Sequence, residues 1–176
     1  MKKRFPNEVE KILRSGGWTG LQKDWNGKAA SPFPAAEKAL GEFGGFYYAP
    51  DPATGIEFAR SRFIIDPGKV GYPTEYLEEE EKAIGKKLYA IGTLYDEPID
   101  LLIAEDGTPY SNTDYGIYQD GDTFDDALIA CILGIRPSPN YTLYPVFNRQ
   151  AQPGQPPVAR CEWLVDKPLL PDGRED

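Results

Sequence analysis

The chain has 176 residues, 40% hydrophobic and 12% aromatic, with 18 glycines, 17 prolines, no histidine and a net charge of -9. A single domain of this length buries about 70% of the surface its extended chain exposes, so it needs no disulfide or structural metal to hold a core. The lack of histidine excludes Ser-His and Cys-His nucleophile pairs and imidazole metal ligands, and the acidic balance argues against direct nucleic-acid binding, because phosphates repel such a surface.

From Pro6 to Arg14, Val9, Ile12 and Leu13 recur at helical spacing among charged residues, and Gly16-Gly17 ends the helix. Trp18 and Trp25 flank a polar stretch and read as core or cover residues. Ser31-Pro32 reads as the start of a second helix, with Phe33, Ala36, Leu40 and Phe43 on one face and Gly44-Gly45 as its stop. The runs Phe46-Tyr48, Gly55-Phe58 and Phe63-Ile65 have strand character and suit a meander. Thr74 to Lys87 reads as a third helix with Leu77 and Ile84 inward and Glu78 to Glu81 as a solvated face.

Strands are then expected over Leu88 to Tyr95 and Ile99 to Ala104, followed by the turn Glu105-Asp106-Gly107 into Pro109-Tyr110-Ser111, a hairpin signal. Thr123 with Asp126 three residues on forms a capping-box pattern for a fourth helix bearing Phe124, Ala127, Leu128 and Cys131, which Gly134 ends. Cys131 thus falls on a buried face as a small core residue. Beyond Arg136 stand 8 of the 17 prolines and two apolar runs, Tyr141 to Phe147 and Val158 to Val165, which read as a hairpin or arm.

The charge is unevenly placed. No Lys or Arg occurs between Lys87 and Arg136, a window that holds ten acidic residues and leaves the remainder of the chain near +1. Tyr95, Tyr110, Tyr115 and Tyr118 share that window, and tyrosine is a frequent interface anchor. Solubility by self-repulsion accounts for the charge; a docking face for a cationic protein accounts for the charge and the tyrosines together.

Other chemistry finds little support. The run Asp120 to Asp126 places alternate aspartates as a hard-cation loop would, yet Phe124 and Asp125 hold the fifth and sixth positions and Cys131 the twelfth, which fails the calcium-loop pattern. Gly85-Lys86-Lys87 lacks the upstream glycine and following hydroxyl of a phosphate loop. Cys131 and Cys161 fit no zinc, redox or haem spacing. No cofactor or metal is expected. Met1-Lys2-Lys3-Arg4 is followed by Phe5-Pro6-Asn7-Glu8 rather than an apolar run, and no stretch approaches the roughly 18 apolar residues of a membrane helix, so a cytoplasmic protein is expected.

The ordered series Leu13-Arg14-Ser15-Gly16-Gly17-Trp18, Phe43-Gly44-Gly45-Phe46, Asp66-Pro67, Ile84 to Gly92, Leu102 to Tyr110 and Phe124-Asp125-Asp126-Ala127-Leu128 to Gly134 resembles the third class of SUKH immunity proteins. The resemblance spans residues 8 to 136. It implies an α+β domain, helices packed on a twisted sheet, that binds and blocks a bacterial toxin domain, often a nuclease or deaminase, without turnover. Gln22 stands where an arginine is common in such proteins, and the chain beyond 136 lies outside the resemblance.

The combined expectation is an α+β single domain over 1-136, with a mainly antiparallel or mixed sheet and about four helices, and a proline-rich β arm over 137-176. Its partner is expected to be a cationic cognate toxin domain, probed by Asp106, Asp114, Asp120 and Asp122 through electrostatic steering and by Tyr115 and Tyr118 through contact. A scaffold or peptide-binding module in host signalling, using the proline-rich arm, is the alternative.

Overall fold

A computed structural model of the chain describes residues 3-21, 32-51, 55-57, 60-71, 74-95, 99-113, 116-135 and 143-144. Among the described residues, four α-helices, α1 (Asn7–Ser15), α2 (Pro34–Phe43), α3 (Thr74–Ile84) and α4 (Phe124–Leu133), accompany seven strands: β1 (Tyr47–Tyr48), β2 (Phe63–Ile64), β3 (Leu88–Leu94), β4 (Asp100–Ala104), β5 (Pro109–Thr113), β6 (Gly116–Gln119) and β7 (Leu143–Tyr144). The strands form one sheet in chain order, antiparallel at every step, so the α+β expectation holds and the mixed-sheet alternative does not arise.

The pleat explains the layers. Alternate residues of a strand face opposite sides. Ile91, Ile103 and Phe63 join Val9, Leu13, Ala36, Leu40, Phe43, Leu128 and Ile132 in the main core, which places α1, α2 and α4 on one side of the sheet. Leu88, Leu102, Ala104, Tyr110 and Ile117 face the other way and meet Leu77 and Ile84 of α3. The sheet is therefore covered on both faces by helices that the apolar spacing of each segment selects.

Local chemistry sets the boundaries. The second helix opens at Pro34 rather than at Pro32, because Phe33 precedes a proline and is held extended, at φ -155° and ψ 157°; Ser31 lies outside the described residues. The third helix stops at Ile84 because Gly85 turns to φ +70°. Thr123 and Asp126 form the capping box in full, each side chain bonding the other's backbone N–H, and Gly134 closes α4 at φ 62°.

Two expectations are corrected. Ile56 and Glu57 are not in a strand; their N–H groups donate to Leu133 and Gly134 carbonyls at 2.9 and 2.7 Å, satisfying acceptors that the end of α4 leaves open. The run Glu78 to Glu81 is not a uniformly solvated face, since Glu80 is buried and Glu81 accepts from the N–H of Leu88 at 3.0 Å. Gly92 sits at a register shift in β3, where a Cβ would lie 2.1 Å from the Ile64 carbonyl oxygen; only glycine lets β2 approach this closely.

Of the C-terminal region, Leu143–Tyr144 pair with Ile117 and Tyr118 of β6, which puts part of the first apolar run on the sheet. The run Val158 to Val165, with Cys161, lies outside the described residues, as does Trp25.

Candidate protein-interaction surface

Three of the stretches that carry the ordered motifs converge where α1, α2 and α4 meet. Trp18 stacks on Phe43 with ring centres 6.1 Å apart, Phe5 meets Trp18 edge-on at 5.3 Å, and Phe124 leans on Phe43 at 5.5 Å. Over these rings Arg4 forks between two carboxylates. Its guanidinium reaches both oxygens of Asp125 at 2.6 and 2.7 Å, pairs with Glu42, and lies 4.9 Å from the centre of the Phe5 ring. The Trp18 indole N–H donates to the same Glu42 at 3.0 Å. A cleft of ≈ 160 Å³ lies beside this seam, lined by Gly16 to Thr19 and Leu40 to Phe46. Its glycines serve packing and turns: a Cβ on Gly16 would fall 2.3 Å from the Phe46 ring, and Gly17 and Gly45 adopt φ of 94° and 81°. The polar groups of the seam satisfy one another, so its geometry is that of a structural staple.

The acidic window has a different fate. Asp100 is buried on β4. Asp125 belongs to Arg4, and Asp126 to the Thr123 cap. Asp106 pairs with Lys86 at 2.7 Å and accepts from the N–H and hydroxyl of Thr108 at 3.0 and 2.8 Å. Partial burial opposes ionisation there, but the ammonium and the Thr108 donors outweigh it and hold the Asp106 carboxyl down at about 2. Asp120 goes the other way. Burial pushes its carboxyl up to about 7, only partly offset by a hydrogen bond from the Ser111 hydroxyl at 3.0 Å. Asp122 and Glu105 are exposed. Of the ten acids counted along the sequence, Asp106 and Asp125 are thus ion-paired and Asp100 is buried.

The six residues singled out from the sequence are placed unequally. Asp120 lies beside the start of β5, its N–H donating to the Pro109 carbonyl, so Asp106, Asp120 and Asp122 belong to the same end of the β5-β6 ladder. Asp114 and Tyr115 fall between Thr113 and Gly116, which pair at the opposite end, and lie outside the described residues. Tyr118 is only 7% exposed and offers little contact area. Tyr110 is buried as well, with Lys86 above its ring.

Among the described residues the exposed aromatics are Tyr47 and Tyr95, which meet edge-on at 5.6 Å near the β1 edge of the sheet. Tyr95 is one of the tyrosines of the acidic window, whereas Tyr47 was signalled only by its outward position in β1. Arg4, too, was hidden in the sequence, because its carboxylate partners stand 38 and 121 residues away.

Cys131 is partly buried and packs against the main core, and desolvation, with a smaller contribution from Asp120, pushes its thiol up to about 12. Among the described residues no group of three acidic or cysteine side chains is placed to hold a metal ion, and no helix is long and apolar enough to cross a membrane. The sequence model of the SUKH-3 immunity protein family matches residues 5-134 of the chain. No curated protein and no solved structure gives a match.

Proposed function

The chain belongs to the SUKH-3 immunity protein family, and from that premise we propose that it is a cytoplasmic antidote that binds a cognate toxin domain and neutralises it by occlusion, without turnover. The family match is the observation that carries this reading. The absence of histidine from the sequence accords with a binding role, since the commonest general base near neutral pH is missing.

The proposed partner is a basic toxin domain, for example one that acts on nucleic acid, met along the β5-β6 hairpin from the acidic end that holds Asp106, Asp120 and Asp122 to the connection at the opposite end. Asp122 supplies an exposed charge, Asp106 a charge shared with Lys86, and Asp120 a charge that depends on pH. Asp114 and Tyr115 complete the proposed contact set from the β5-β6 connection, with Tyr118 as a minor contributor. Residues 137-176 are proposed as an arm on the 1-136 unit, an arrangement supported by the pairing of β7 with β6.

Steering by such charges acts on the association rate more than on the final affinity. Replacing Asp114, Asp120 and Asp122 together with Asn is expected to slow association with the toxin domain by about tenfold at low salt and to flatten its salt dependence. Stopped-flow measurement at several ionic strengths checks this; unchanged rates remove the steering role and leave partner binding to another face.

A further inference from the structure

Among the described residues the sheet is open at β1, which stands first in the strand order and pairs with β2 alone, Tyr47 opposite Ile64 and Tyr48 opposite Phe63. In an antiparallel ladder, pairs that exchange backbone hydrogen bonds alternate with pairs that do not. Ile65 donates its N–H to the Phe46 carbonyl at 3.0 Å, so Phe46 and Ile65 form a bonded pair and the next one, Tyr47 and Ile64, is unbonded. The N–H and carbonyl of Tyr47 therefore point away from β2, toward the open edge.

The side chain there is open too. Tyr48 turns into the main core, so Tyr47 takes the other face of the sheet, where it is 46% exposed. Tyr95, just past the end of β3, is 48% exposed, and its N–H donates to the Arg62 carbonyl at 2.8 Å, so the edge-on contact of the two rings spans β2. On the same face α3 packs over Leu88, Leu102, Tyr110 and Ile117. The tyrosine pair stands outside that cluster.

Charge decides what fits this edge. Residues 46-71 hold Asp51, Glu57 and Asp66 against Arg60, Arg62 and Lys69, so the β1-β2 region is neutral, and with Asp96 and Glu97, which follow Tyr95, it accounts for -2 of the chain's -9. The other acids of the cation-free window stand from β4 onward. Two copies of this acidic chain therefore meet with least repulsion at β1. The edge is also its own complement. A two-fold axis through an antiparallel pair of β1 strands lets each Tyr47 N–H donate to the other's carbonyl, and it carries the two Tyr95 residues to opposite ends of the joined edge.

We propose that β1 is a self-association edge, at which two copies of this chain join their sheets with Tyr47 against Tyr47 and a Tyr95 on either flank. The contact is small. Pro50 and Pro52 follow β1 and limit its pairing, and the exposed halves of two tyrosines supply only ~200 Å² per copy against the ~800 Å² of a standard interface. The dimer is accordingly weak, with a dissociation constant on the order of 100 μM. It needs no toxin and does not rest on the antidote reading.

Sedimentation velocity on the full isolated chain is the test. From about 5 μM to about 500 μM the weight-average mass should climb from 19.6 kDa toward twice that value, and added salt should strengthen the dimer by screening repulsion between the acidic copies. Amide exchange should show Tyr47 protected severalfold more at the high concentration than at the low one, with Tyr48, whose N–H already faces β2, unchanged. Tyr47→Lys, which places a charge on the edge, should abolish both effects and leave the thermal unfolding midpoint where it was. Tyr95→Ala should weaken the dimer severalfold, and it decides the matter should Tyr47→Lys fail to fold. A chain that stays monomeric at the highest concentration, a dimer that survives in Tyr47→Lys, or association that runs on past the dimer overturns the proposal. A monomeric chain whose Tyr47→Lys variant loses affinity for the toxin domain overturns it as well, and gives the edge to that partner.

Discussion

The helical seam and the acidic end of β5-β6 both gather carboxylates, and they treat them in opposite ways. In the seam, Glu42 and Asp125 converge on one guanidinium that also lies over aromatic rings, so charge and apolar burial support each other. At the sheet end, Asp106 holds a single lysine near solvent, and Asp120 is half-buried with a serine hydroxyl on one oxygen. Identical side chains thus act as a structural clamp, a surface pair and a desolvated acid, depending on what faces them. Formal charge says little about function until the counter-ions are known.

The seam should be where the fold is most easily broken. Phe43 touches Phe5, Trp18 and Phe124, and Phe43→Ala is expected to cost about 4 kcal/mol, read as the fall in unfolding free energy in urea. A loss below about 2 kcal/mol would mean that the rings merely abut and that the clamp contributes little to cohesion.

The sheet end should respond far less. Asp106 is held down at about 2 in the folded chain, below its ordinary 3.8, so its stabilising contribution is present above about pH 4 and lost as pH falls through 2. Its side chain is 49% exposed, and water screens the pair with Lys86. Asp106→Asn is therefore expected to cost less than about 1 kcal/mol at pH 6 and only a small part of that at pH 2, where the folded carboxyl is about half protonated, in urea titrations at the two values. A constant deficit at both would trace the effect to the Thr108 hydrogen bonds and not to the charge.

Much of the seam's framework was legible in the sequence, and most of the sheet end's charge state was not. The spacing of Val9, Ile12 and Leu13, the capping pair Thr123 and Asp126, and the Asp106-Gly107 turn are local signals that act over a few residues, and each appears in place. What failed depends on distant partners. Arg4 reads as part of a basic start until Asp125 arrives beside it, and Glu80 reads as solvated although the fold buries it. β6 is only four residues long and was not anticipated, because its neighbours give no alternation strong enough to mark it. The contact residues were hardest: a window of acids and tyrosines suggests a docking face, yet the fold buries Tyr110 and Tyr118 and leaves Tyr95 outside, beside Tyr47.

The central claim, neutralisation by binding, is tested most directly by rescue. The C-terminal domain encoded by the neighbouring gene is expressed in a bacterial host with and without this chain, and growth and complex formation are scored together. The account predicts arrested growth with the domain alone, restored growth when the chain is present, and a stable complex that co-purifies. Arrest that persists with the chain present at full level, or rescue with no complex formed, would contradict it.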